Sequence, residues 1–151
     1  MDHTDYKILN LLKKNARETA SNISKTIHLS VSAVIERIHK LEESGVIKEY
    51  TIIVDESRTG NDMTALMEVS LGNPRYFDDF AAAINEMDTV VSCYYQTGDF
   101  DLLLKICCKS AAELEQIHRQ IMSLDGVSDT RTHVVLKDVK NIYSTIRKPE
   151  K

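Results

Sequence analysis

Residues 29–47 read LSVSAVIERIHKLEESGVI, and the fold turns on how this stretch is read. Ser30 is a helix-capping residue type, and Gly45 stands where a helix of this length would stop. Between them Val31, Val34, Ile35, Ile38 and Leu41 recur at helical spacing and are expected on a buried side. Ser32, Ala33, Glu36, Arg37 and Lys40 take the other side. A helix that enters a DNA groove needs one buried face and one face of small, polar and basic side chains. A merely solvated amphipathic helix has the same pattern, so the neighbouring segments decide.

Upstream, Ile8, Leu9, Leu12 and Ala16 mark a first helix within residues 2–16, with Asp2 or Thr4 as its cap. Thr19 caps a short second helix, residues 20–27, and His28 with Leu29 makes a tight turn. Short helix, tight turn and longer helix form a helix-turn-helix. Downstream, VIKEYTIIV is rich in β-branched residues and reads as a strand. Glu36 would repel phosphate unless Lys40 or Arg37 pairs with it, or it accepts from a cytosine amino group.

Residues 55–62, DESRTGND, have no apolar periodicity and read as a linker. Beyond them TALMEVSL alternates, with Ala65, Met67, Val69 and Leu71 on one face. Asn73-Pro74 starts a helix that buries Phe77, Phe80, Ala81, Ile84 and Met87. TVVSCYYQT and FDLLLKICC are the next strands. Ser110 and Glu113 form a capping box for a second helix, with Leu114, Ile117, Ile121 and Leu124 as its stripe. VSDTRTHVVL is a fourth strand, and residues 138–151 form a polar tail. The order βαββαβ implies an antiparallel sheet with both helices on one face, so the chain is α+β with domains at 1–54 and 63–151. On the helix-free face Leu103 and Cys107 are too apolar for full exposure. A second copy covering that face, a dimer through the sheets, is expected.

Charge alone does not advertise nucleic-acid binding. Residues 1–60 balance nine Lys/Arg against nine Asp/Glu, and residues 61–151 carry the whole net charge of -4. Three cysteines without a CxxC, no apolar run of membrane length and an acidic N-terminus, MDHTDYK, make a cytoplasmic location the expectation. No membrane contact and no cofactor is expected.

In this order the blocks DYKILNLLKKNAR, LSVSAVIERIHKLEESGVI, KEYTIIVD, TGDFDLLLKI and GVSDTRTHVVL resemble the leucine-responsive and asparagine-regulator (Lrp/AsnC) family of transcription factors, over about residues 4–140. The resemblance implies a winged helix-turn-helix followed by an ACT-like, ferredoxin-like sensor. It implies binding to double-stranded operator DNA, dimers through the sensor sheets, and frequent assembly into octamers. It also implies an amino-acid effector held near a Gly-Asp-x-Asp loop, which here is Thr97, Gly98, Asp99, Phe100 and Asp101. Two departures stand out. His28 occupies a turn position where the family usually has Gly, and Val31 and Ala33 stand where it often has Pro.

The residues expected at DNA are Ser30, Ser32, Ala33, Glu36, Arg37 and Lys40. At the loop, Asp99 reads as turn chemistry, whereas Asp101 is placed to meet a bound ammonium group. Two carboxylates could also be an acid/base pair, but no nucleophile or oxyanion donor accompanies them, and D-x-D alone is a poor metal site. No catalytic or metal residue is therefore assigned, and His118 and His133 are read as surface and strand-face residues. Two rivals share the fold: an effector-independent architectural DNA binder, and a siroheme-decarboxylase-like enzyme with basic side chains gripping tetrapyrrole carboxylates.

Overall fold

Asp2 opens the first helix, α1 (His3–Lys14). Its carboxylate accepts from the N–H groups of Thr4 and Asp5, and the Asp5 carboxylate accepts from Asp2 N–H. Reciprocal capping of this kind satisfies donors that a helix start otherwise leaves open. Thr19 caps α2 (Ala20–Ile27), which ends on His28 in the left-handed conformation, φ 60° and ψ 47°. The N–H groups of His28 and Leu29 both donate to the Ser24 carbonyl, so the tight turn forms with histidine in place of glycine. Ser30 then caps α3 (Val31–Glu43) by accepting from Ala33 N–H, and Gly45 at φ 70° stops it. Ile8, Leu9, Leu12, Ile23, Val34 and Leu41 are buried together where the three helices meet.

The structure, a computed structural model, describes residues 1–149. They divide into two units: Met1–Ile53 with the residues from Lys140 onward, and Val54–Val139. The tail therefore belongs with the helix-turn-helix and not with the second domain expected over 63–151. Its anchor is Ile146, half-buried against the three-helix core. Within this first unit a groove of about 790 Å³ lies among Leu9, Leu12, Ile47, Tyr50, Ile142 and Ile146.

Two expectations fail here for physical reasons. Val31 and Ile35 were expected to face inward, yet each is 41% exposed. The inward direction is set by Val34 and Leu41; at 3.6 residues per turn Val31 and Ile35 stand roughly 70° and 110° away from it. Residues 46–54 form no strand, and Ile52 and Ile53 are 80% and 67% exposed. High β propensity makes a strand only where another strand supplies the hydrogen bonds, and no described residues of this unit do so.

In the second unit four strands form one antiparallel sheet in the order β2-β3-β1-β4: β1 (Met63–Leu71), β2 (Val90–Tyr95), β3 (Leu102–Cys108) and β4 (Val127–Val134). Helices α4 (Phe77–Asn85) and α5 (Ala111–Met122) cover one face. The expected parity holds: Ala65, Met67, Val69, Leu102, Leu104, Ile106 and Cys108 are buried with Phe80, Ile84, Ile117 and Ile121. Asn73 caps a 3-10 turn at Pro74–Tyr76 that leads into α4. Gly126 takes φ 87° in the turn between α5 and β4, and a side chain there would overlap the Tyr76 ring. Cys107 and Cys108 are buried as small hydrophobes, whereas Cys93 is exposed. Among the described residues no helix is long and apolar enough to cross a membrane.

Candidate nucleic-acid interface and ligand loop

The outward face of α3 is built from its inward one. Because Val34 and Leu41 point to the core, the opposite side carries Ser32, Ile35, Glu36, His39 and Lys40, all exposed. Ser30 Oγ is occupied by the helix cap and lies 3.2 Å from Ser32 Oγ. Ala33 is half-buried at the edge of the face. Glu36 accepts from Lys40 Nζ at 2.6 Å, one turn along, and that ammonium holds the Glu36 carboxyl below its ordinary pKa.

Arg37 does not join this face. Its guanidinium donates to both Asp2 and Asp5 at 2.7 Å, tying α3 to the start of α1. The Asp2 carboxyl is lowered first by the N–H of Asp5 and then by Arg37, and the two carboxylates raise Arg37. A guanidinium facing two carboxylates is a structural clamp, with little charge left for a phosphate. The site residues thus divide. Ser32, Glu36 and Lys40 come together on the outer face, Ser30 and Ala33 shape its start, and Arg37 turns to α1. Sequence reasoning missed Ile35 and His39; a helical wheel centred on Val34 and Leu41 would have found both.

At the other candidate site, Gln96 N–H donates to the Asp101 carbonyl at 2.8 Å and closes a hairpin around residues 97–100. Thr97, Gly98 and Asp99 are exposed, and Gly98 takes φ 132°, where a side chain would be strained. Phe100 is buried, with the Arg131 guanidinium over its ring at 4.7 Å. Asp101 is held on three sides. Its N–H donates to the Val69 carbonyl at 3.0 Å, its carbonyl receives Gln96, and its Oδ2 accepts from Leu71 N–H at 2.8 Å. The β1–β4 register shifts between Ser70 and Leu71, and the Asp101 carboxylate supplies Leu71 with an acceptor just there.

The helix-free face continues from Phe100 through Arg131 to Glu68, whose carboxylate lies 3.7 Å from Arg131 and 3.6 Å from His133. Arg131 and His133 thus both stand against Glu68 on this face. His118, expected at the surface, is half-buried and bonds Thr130 Oγ1 at 3.0 Å, linking α5 to β4. Among the described residues no three His, Cys, Asp or Glu side chains converge as a metal site would require.

A capped helix-turn-helix joined to a separate βαββαβ unit defines a DNA-binding transcriptional regulator with its own ligand-binding domain. Residues 1–48 match a family described as winged helix-turn-helix DNA-binding, and residues 64–144 match the Lrp/AsnC ligand binding domain. The chain is 35% identical to the leucine-responsive regulatory protein of Haemophilus influenzae, covering 93% of this chain and 86% of that one. It is 36% identical to the HTH-type transcriptional regulator FL11 of Pyrococcus horikoshii, covering 93% and 92%. Among solved structures it resembles the regulator NMB0573 of Neisseria meningitidis in complex with L-Met, with a TM-score of 0.91 at 29% identity over 97% and 96% of the chains. It also resembles AsnC of E. coli, with a TM-score of 0.86 at 27% identity over 99% of each. The chain belongs to the Lrp/AsnC family of transcriptional regulators.

Proposed function

We propose that the chain is an amino-acid-responsive regulator that acts in the cytoplasm without an enzymatic activity of its own. Its working unit is a homodimer through the helix-free sheet faces, assembled further into an octamer. The observation that carries the DNA part is the outer face of α3, with Ser32, Glu36 and Lys40 exposed together beside a capped helix start. Two such helices in a dimer would enter successive major grooves of a two-fold site, with Lys40 at a phosphate and Ser32 and Glu36 nearest the bases.

The amino acid is proposed to bind at the 97–101 loop. Similarity to a regulator solved with L-Met and to leucine-responsive relatives supports an amino acid as the ligand class. Gly98 lets a ligand carboxylate approach backbone N–H groups, and Asp99 and the second oxygen of Asp101 are acceptors for its ammonium. Arg131 and His133 face Glu68, which weighs against a tetrapyrrole-carboxylate grip. Calorimetry with each of the twenty amino acids tests the reading, followed by mass measurement with the one that binds. Heat from one or a few amino acids and a change in assembly are expected. No binding at millimolar concentration would favour the effector-independent architectural protein instead.

A further inference from the structure

We infer that Ile35, flanked by Val31, reads a thymine in the operator by packing against its 5-methyl group in the major groove. This rests on α3 being the recognition helix and names what that helix recognises. Val31 and Ile35 are one turn apart and so are neighbours on the helix surface, each 41% exposed. They stand on the N-terminal half of α3, the half that meets base edges in a helix-turn-helix. Neither side chain is among those buried or half-buried in the three-helix core.

The chemistry of that half narrows what it can read. Residues 31–36 contain no Lys or Arg, Arg37 is held by Asp2 and Asp5, and Lys40 lies a turn beyond Glu36, where it is given to a phosphate. The bidentate reading of guanine by a cation is therefore unavailable to it. It offers a hydroxyl at Ser32, aliphatic groups at Val31, Ala33 and Ile35, and a carboxylate acceptor at Glu36. In the major groove a carboxylate suits the cytosine amino group, and an aliphatic group suits the thymine methyl. Ile35 is the longest of the aliphatic side chains and the best placed, on the same side as Ser32 and His39. Its β-branch leaves few rotamers in a helix, so little side-chain freedom is lost on docking. Lys40 neutralises Glu36, which removes a repulsion that would otherwise keep the apolar flank out of the groove.

The test uses the full chain and a duplex selected from a random-sequence library. Each thymine of that duplex is replaced in turn by uracil, which pairs identically but lacks the methyl group. Uracil at one position in a half-site should weaken binding roughly fourfold, the worth of one buried methyl group. Ile35→Ala should bind the thymine duplex more weakly by a similar factor, ignore that uracil, and unfold at the wild-type temperature. Ile35→Val should keep part of the discrimination. An Ile35→Ala protein that still discriminates uracil overturns the inference. So does an equal loss on unrelated duplex, a lowered unfolding temperature, or an altered oligomer mass, which would place Ile35 in a protein contact. Glu36→Ala and Ser32→Ala separate the two levels. If they change base preference and Ile35→Ala does not, the thymine contact alone falls; if none of the three changes it, α3 is not the recognition helix.

Discussion

Helix α3 and the 97–101 loop each carry a charged residue that reads as the obvious contact, and each spends it internally. Arg37 binds two carboxylates of α1, and Asp101 binds the N–H of Leu71. The difference lies in what remains. On α3 the helical period still presents a row of exposed side chains, because only one face is needed for the core. At the loop the exposed groups are backbone around Gly98 plus the Thr97 and Asp99 side chains. A helix can hold itself together and offer a side-chain code at once. A short loop uses its side chains to hold its shape and offers mostly main chain.

The sharpest way to break that contrast is at the buried face of α3. Leu41→Ala should cost about 3 kcal/mol in denaturant unfolding of the first unit, because Leu41 is 4% exposed and part of the three-helix core. A cost as small as that of Ile35→Ala would mean the inward face has been misassigned.

Next in size is Asp101→Ala. It leaves the half-buried Leu71 N–H without its acceptor and should cost about 2 kcal/mol. Asp101→Asn keeps a carbonyl acceptor and should recover most of that loss while still lacking charge for a ligand ammonium. Wild-type stability in the alanine variant would show that the carboxylate is free for a ligand after all.

Arg37→Ala comes third, at about 1 kcal/mol, the upper end for pairs open to solvent. Its pH dependence is distinctive. The Asp2 carboxyl is depressed in the folded chain, so its contribution is whole above the ordinary carboxylate range and is lost as pH falls through the depressed value. Acid unfolding should therefore be shallower in Arg37→Ala, and the salt dependence of DNA binding should barely change.

Lys40→Ala is smallest for stability and should leave the unfolding midpoint where it was, since its pair with Glu36 is exposed. It should instead lower the slope of log affinity against log salt by about one for each phosphate lost. If Arg37→Ala lowers that slope and Lys40→Ala does not, the roles given to the two cations are reversed.

Legibility followed the range of the interactions. The capping of α1, where the structure takes Asp2 from the pair Asp2 or Thr4, the tight turn at His28 and the strand parity of β1 and β3 are local matters, and all stand in the structure. The strand expected over residues 46–54 failed because a strand is a property of two segments, and these residues showed only one. Ile146 escaped because the tail's apolar residues, Val139, Ile142, Tyr143 and Ile146, do not themselves say which of the two domains they pack on. Ile35 was misplaced because an apolar residue beside an apolar stripe reads as part of it until the stripe's centre is known.

The sequence by itself determined the helices, the caps at Thr19, Ser30 and Ser110, the βαββαβ order and the kinship to DNA-binding regulators. These depend on residues within a turn or two of one another, where spacing and chemistry suffice. Only the tertiary structure decided which side of α3 faces out, that Arg37 clamps α1, that Asp101 repairs a register shift, and where the tail belongs. Each of these is a pairing between residues far apart in the chain, and a charge or an apolar group does not carry in its own identity the partner that will claim it.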